Sequence, residues 1–100
     1  MERFSFNNSY SSSRNGFSYT SRLYFNNQFV ADYKASYINR TWEAYMYQSA
    51  MKGAIRNAID LEVLNEKKKR GIKRLTQELR KTILLESGFI KLLNEKLKTL

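Results

Sequence analysis

The sequence predicts an α+β fold: an antiparallel β-hairpin or three-stranded sheet at the N-terminus, packed against two or three C-terminal helices. Thirteen of the fourteen aromatic residues lie within residues 1–47, whereas ten of the eleven leucines lie beyond residue 60. Aromatic residues favour strands, while Leu, Lys, Arg and Glu favour helices. No spacer separates the two compositions. We therefore expect a single domain over 1–100, with a β-rich part over 1–38 and a helical part over 39–100.

Two stretches of the N-terminal part alternate apolar and polar residues, which is typical of strands with one buried face. The first face comprises Phe17, Tyr19, Ser21, Leu23 and Phe25, and the second comprises Phe29, Ala31, Tyr33, Ala35 and Tyr37. Two strands alone are marginally stable, so a third strand or a covering helix is required. Residues 3–8 are the candidate for a short edge strand, with Phe4 and Phe6 on one face.

The loop between these stretches determines the register of the hairpin. A three-residue loop, Asn26-Asn27-Gln28, suits the left-handed conformation that Asn tolerates. A five-residue loop preserves the same faces but sets Arg22 against Lys34, a like-charge pair, so we favour the shorter loop. It predicts the pairs Phe25–Phe29, Leu23–Ala31 and Tyr19–Ala35 on the buried face, and Arg22–Asp32 and Thr20–Lys34 on the outer face.

The first helix is predicted to begin after Ile38, where Asn39 or Thr41 can act as the cap and Glu43 lies in the first turn. Gly53 costs about 1 kcal/mol relative to Ala in a helix interior. Its small neighbours indicate close approach of another element, and a kink is the alternative explanation.

Two further helical patterns follow. Gly71 is either a break or a tolerated glycine, and beyond it the stripe Ile72, Leu75, Leu79 and Ile83 predicts a helix. Ser87-Gly88 predicts the end of that helix, with Gly88 in a left-handed conformation. A short terminal helix then carries the stripe Ile90, Leu93, Leu97 and Leu100.

The composition excludes most catalytic chemistry. With no His and no Cys, the chain has no zinc site of the usual N/S type, no thiolate nucleophile, no disulfide and no imidazole base. Glu62 and Glu66 share a helix face, but such isolated acids are more often surface charge than metal ligands. No Gly-rich phosphate loop is present. We expect a protein that is not an enzyme and that uses no metal and no cofactor.

The charge is concentrated in one segment. The chain has a net charge of +9, and residues 67–81 contain eight basic residues and one acidic residue. On a helix, Arg70, Lys73 and Arg74 would share one face with Gln77, Arg80 and Lys81, opposite the apolar stripe. The predicted binding residues are Lys67, Lys68, Lys69, Arg70, Lys73, Arg74, Arg80 and Lys81.

Two other interpretations of this segment remain. One is a solvated face with Glu66–Arg70 and Glu78–Lys81 pairs, and the other is a helix on a membrane surface. We favour contact with a polyanion because so few acids compensate the charge. No aromatic residue accompanies the stripe, which disfavours the membrane.

The hairpin offers a secondary candidate surface. Most of its rings alternate onto the buried face, so core packing is favoured over the stacking of bases on them. Tyr24 is the exception, because the register places it on the outer face with Arg22 and Lys34.

The run Tyr37-Ile38-Asn39-Arg40-Thr41-Trp42-Glu43, the short length and the Asn/Lys/Tyr-rich composition resemble small accessory proteins of phages and mobile elements, a class that includes the anti-CRISPR proteins. The resemblance implies inhibition of a bacterial CRISPR nuclease complex and assigns no functional residue. The basic charge departs from inhibitors that mimic DNA with acidic surfaces.

Together these patterns predict a non-catalytic binding protein whose basic face engages nucleic acid or a nucleoprotein complex, with DNA and RNA both open. The alternative is a structural or assembly protein that forms homo-oligomers through its C-terminal helices. No secretory signal and no apolar segment of membrane-spanning length is recognisable, so we expect the cytoplasm of a host cell and no membrane partner.

Overall fold

The computed structural model describes residues 3–39 and 42–100. It confirms the predicted α+β class, with three antiparallel strands followed by three helices. The elements are β1 (Phe4–Ser13), β2 (Gly16–Phe25), β3 (Gln28–Tyr37), α1 (Glu43–Lys69), α2 (Gln77–Glu86) and α3 (Gly88–Lys98).

The third strand exists and is longer than the sequence indicated. β1 spans ten residues where residues 3–8 were expected, and it pairs along its whole length with β2. Its second half consists of Ser residues and Tyr10, with little apolar alternation, which explains why the pattern missed it. Because the strand order is β1-β2-β3, both β1 and β3 are edge strands.

The turn between β2 and β3 differs from the prediction at its tip. Asn26 (φ 50°) and Asn27 (φ 67°) form a two-residue turn, so Phe25 pairs with Gln28 and not with Phe29. Two positive φ angles are characteristic of the type I′ turn, whose twist matches that of the flanking strands. The prediction of a three-residue loop is therefore wrong.

A register shift restores the predicted pairing beyond this turn. It lies between Leu23 and Tyr24, so that Tyr24 pairs with Phe29 and Val30 is the extra residue. Val30 packs against the core, while Phe29 is 55% exposed and its ring centroid lies 5.8 Å from that of Tyr24. The remaining predicted pairs are confirmed, namely Leu23–Ala31, Tyr19–Ala35, Arg22–Asp32 and Thr20–Lys34.

Helix α1 begins at Glu43, as far as the described residues show, with Trp42 as its N-cap and without a side-chain capping hydrogen bond. Asn39 is therefore not the cap, and Thr41 lies outside the described residues. At Gly53 a Cβ atom would overlap the ring of Tyr33, and α1 continues without interruption through this position. Close packing thus explains the glycine.

Helix α1 covers the sheet and extends beyond it. Its 27 residues span about 40 Å, whereas a ten-residue strand spans about 33 Å. The first part of the helix packs Met46 and Ala50 against Tyr19. The second part forms a larger buried cluster with the sheet and the other two helices, which includes Leu23, Ala31, Ala54, Ile55, Ala58, Ile59, Val63, Ile83, Ile90 and Leu93.

Gly71 ends α1, because its φ of 67° is left-handed. Ile72 and Leu75 consequently lie in a connection and not on a helix, so the predicted helix over the whole stripe is wrong. Both residues still pack against the core, which explains their apolar spacing. Helix α2 begins only after Thr76, whose hydroxyl accepts a hydrogen bond from the backbone N–H of Leu79 at 3.2 Å.

Helix α3 uses its apolar stripe inside the molecule. Ile90 and Leu93 are fully buried, and Leu97 and Leu100 pack against the same cluster. The buried hydroxyl of Ser87 accepts a hydrogen bond from the N–H of Ile90 and caps the helix. Gly88 is the first residue of α3 and has no positive φ, contrary to the left-handed stop that was predicted. Among the described residues, no helix combines the length and apolarity needed to cross a bilayer.

Candidate functional site

The predicted basic segment covers the end of α1, the connection that follows it and the first half of α2. Lys67, Lys68 and Lys69 occupy the last turn of α1, and Arg70 is its C-cap. Lys73 and Arg74 lie in the connection, and Arg80 and Lys81 lie on α2. The prediction that one helical face carries Arg70, Lys73, Arg74, Arg80 and Lys81 is wrong, because α1 ends at the left-handed Gly71.

Arg70 binds two carboxylates. Its Nε lies 3.2 Å from Oε2 of Glu66, one helical turn earlier, and its Nη1 lies 2.9 Å from Oε2 of Glu86. The hydrogen bond to Glu66, followed by that to Glu86, raises the pKa of Arg70 above its ordinary value. The predicted Glu66–Arg70 pair is thus confirmed, and Arg70 connects the end of α1 to the end of α2.

Arg80 makes the corresponding contact at the other end of α2. Its guanidinium donates a hydrogen bond of 3.0 Å to Oδ1 of Asp60 on α1. Two of the eight predicted binding residues, Arg70 and Arg80, therefore connect α2 to α1, and carboxylates compensate their charge.

The other six cations remain without an ion-pair partner among the described residues. We call them the corner surface: Lys67, Lys68, Lys69, Lys73, Arg74 and Lys81. All except the half-buried Lys67 are exposed, and the predicted Glu78–Lys81 pair is absent from the described salt bridges. Because Asp60, Glu66 and Glu86 bind arginines, Glu62 and Glu78 are the remaining carboxylates of residues 60–86 to set against these six cations.

The secondary candidate surface lies on the outer face of the sheet. Arg22 and Lys34 are exposed and Tyr24 is half-buried. Arg22 is directly opposite Asp32 in the register, whereas Lys34 is opposite the uncharged Thr20. The acid reduces the positive charge of this face, so it attracts a polyanion less strongly than the corner surface does.

A third site was missed by the sequence analysis. A cleft of about 590 Å³ runs between β3 and the N-terminal half of α1. We call it the tyrosine cleft, and its lining comprises Tyr33, Ala35, Ser36, Tyr37, Tyr45, Ser49, Lys52, Gly53, Arg56 and Asn57. Lys52 and Arg56 escape notice in the sequence because residues 41–66 are net acidic. Their proximity to three tyrosines depends on how α1 packs on β3.

The described residues hold no group of three or more carboxylates that would bind a metal ion. Glu66, one of the two acids considered for such a site, binds Arg70 instead.

Comparison with models of known protein families, with curated proteins and with solved structures gives no match.

Proposed function

We propose that the protein is a non-catalytic nucleic-acid-binding protein whose corner surface contacts the phosphate backbone. The observation that supports this most strongly is the set of six cations that have no carboxylate partner in the described part of the chain, next to two arginines that do. Exposed cations without ion-pair partners are suited to replacing the counterions of a polyanion.

The composition of the corner surface indicates which part of a nucleic acid it contacts. Five of its members are lysines and one is Arg74. An ammonium is a point charge on a flexible stem, whereas bidentate recognition of a base edge needs a guanidinium or an amide. The proposal is therefore backbone binding with little sequence preference, in the cytoplasm of a host cell.

Two other interpretations of the sequence have less structural support. Inhibition of a CRISPR nuclease complex rests on the resemblance alone. Assembly through the C-terminal helices needs an exposed apolar stripe, but Ile90 and Leu93 are buried in the chain's own core and Leu97 packs against it.

The test is charge reversal with a matched control. The corner variant combines Lys68→Glu, Lys73→Glu and Arg74→Glu, all exposed residues without a described ion pair. The control combines Arg14→Glu, Lys91→Glu and Lys98→Glu, which reverses one Arg and two Lys that are also exposed but lie elsewhere. Both variants change the net charge equally.

Binding to duplex DNA, single-stranded DNA and RNA is then measured across a salt series. Each phosphate contact contributes about −0.9 to the slope of log K against log salt for duplex DNA, so the corner variant should reduce the steepness by up to about 3. The control should keep most of the slope. Equal losses in the two variants, or binding that ignores salt, would refute the proposal.

A further inference from the structure

The tyrosine cleft combines two features that the proposed function does not use. Its lining includes two cations and no carboxylate, and neither Lys52 nor Arg56 forms an ion pair with a described residue. The neighbouring groove, between Phe29 and Leu64, differs because Asp32 and Asp60 line it. The positive charge of the tyrosine cleft is therefore available to an anionic ligand.

The two cations lie on successive turns of α1, four residues apart, so both side chains extend from the same side of the helix. Arg56 is exposed and Lys52 is half-buried. A guanidinium and an ammonium on adjacent turns are suited to the oxygens of one phosphate group, since charge-assisted hydrogen bonds of this kind are strong.

Three aromatic rings also line the cleft. Tyr33 and Tyr37 come from β3, and Tyr45 comes from the first turn of α1. Tyr33 is 42% exposed and Tyr45 is 55% exposed, although both border a concave site. Tyr33 reaches this position because Gly53 has no Cβ to displace its ring. Exposed ring surface in a cleft is suited to stacking with a flat ligand.

The other polar groups that line the cleft, and the volume of the cleft, are suited to a small ligand. Ser49 and Asn57 line the cleft, and the Asn57 amide donates a hydrogen bond of 2.8 Å to the backbone carbonyl of Asp32, which fixes α1 against β3. β3 is an edge strand, so alternate backbone groups have no partner strand on this side. A volume of about 590 Å³ is within the range of ordinary ligand sites.

We propose that the tyrosine cleft binds a nucleoside phosphate, with the base against the exposed tyrosine rings and the phosphate on Lys52 and Arg56. The ligand is either a free nucleotide or one unit of a single-stranded nucleic acid, because the two share this chemistry. The inference does not rest on the corner surface. A mononucleotide can occupy the cleft while the corner is altered, so the two proposals fail separately.

The test titrates the intact protein with uridine 5′-monophosphate, uridine and inorganic phosphate, followed by NMR shifts of backbone amides. We expect the monophosphate to bind more tightly than uridine or phosphate alone and to shift amides along β3 and α1. Lys52→Gln combined with Arg56→Gln should weaken it at least about tenfold, as expected for lost charged hydrogen bonds. Lys91→Gln combined with Lys98→Gln is the matched control and should bind as the unaltered protein does.

The contribution of ring stacking to binding is tested at Tyr45, which is exposed enough to replace without loss of the fold. Tyr45→Leu should weaken binding about fivefold or more, whereas Tyr45→Phe retains the ring and should restore it. A labelled oligothymidylate of eight units identifies the source of the ligand. Much tighter binding of this oligomer, lost with Lys52→Gln and Arg56→Gln, indicates a strand, and similar affinities indicate a free nucleotide.

Four results would overturn the inference. The first three are the absence of monophosphate binding at millimolar concentration, unchanged binding when both cations are replaced, and tighter binding of phosphotyrosine, titrated in the same way, than of the nucleotide. The corner variant described above should bind the monophosphate normally, and a loss there would likewise contradict a ligand held in the cleft.

Discussion

Replacement of Gly53 by Ala tests the contact between α1 and β3 on which the tyrosine cleft depends. In an isolated helix this change stabilises by about 1 kcal/mol. In the structure the new Cβ would overlap the Cγ, Cδ2 and Cε2 atoms of Tyr33. Cγ is the first atom of the ring, so a rotation at the far end of the side chain does not relieve the overlap. Overpacking of this kind costs about 1–3 kcal/mol. We therefore expect a net destabilisation of up to about 2 kcal/mol.

The sign of the effect should reverse when Tyr33 is shortened. In a Tyr33→Ala background the overlapping atoms are absent, and Gly53→Ala should stabilise by about 1 kcal/mol through helix propensity alone. The coupling energy between the two sites is then about 1–3 kcal/mol. Urea unfolding followed by circular dichroism measures all four free energies of unfolding.

Two outcomes would refute this reasoning. The first is a stabilisation by Gly53→Ala in the unaltered protein, and the second is the same effect in both backgrounds. Either would mean that Tyr33 does not pack over Gly53 in the folded protein.

Two further predictions concern buried hydroxyl groups. Ser21 is fully buried on the core face of β2 and its Oγ has no hydrogen-bond partner among the described residues. An unsatisfied buried hydroxyl costs about 1–3 kcal/mol, so Ser21→Ala should raise the free energy of unfolding in urea, and a loss above about 1 kcal/mol would show that the hydroxyl is satisfied. Ser87→Ala removes the cap of α3 and should cost about 1 kcal/mol; Ser87→Thr, which retains a neutral hydroxyl acceptor, should recover part of it, and equal losses would argue against capping.

Local patterns predicted the sheet and its register well. The alternation of apolar residues fixed which faces meet, and the charge pair Arg22–Asp32 selected the correct register away from the turn. The tip differed because two asparagines adopt positive φ together. That choice shortens the loop, and the extra residue Val30 compensates within β3.

The ion pairs of the basic segment also include one that sequence spacing predicted and one that it could not predict. Glu66–Arg70 is one helical turn apart and was predicted from spacing. Asp60–Arg80 spans 20 residues and exists only because α2 packs against α1. Sequence spacing therefore identified the cations of the basic segment but could not tell that Arg80 binds an acid on another helix.

The tyrosine cleft could not be predicted from the pattern of residues along the chain. Tyr33 and Tyr37 belong to the buried face of their strand by alternation, yet β3 is at the edge of the sheet and α1 leaves part of that face uncovered. Lys52 and Arg56 become neighbours of these rings through the crossing of helix and strand. Only the packed structure brings the four side chains together.

The order of the strands in space has a consequence for how the chain folds. Each strand pairs with the next one along the sequence, and no crossover intervenes. Pairing between strands that follow one another along the sequence closes short loops, whose entropic cost is small. The two hairpins can therefore form early, each on its own turn. The apolar face of the two hairpins is the surface against which α1 packs, and residues of α2 and α3 complete the same buried cluster.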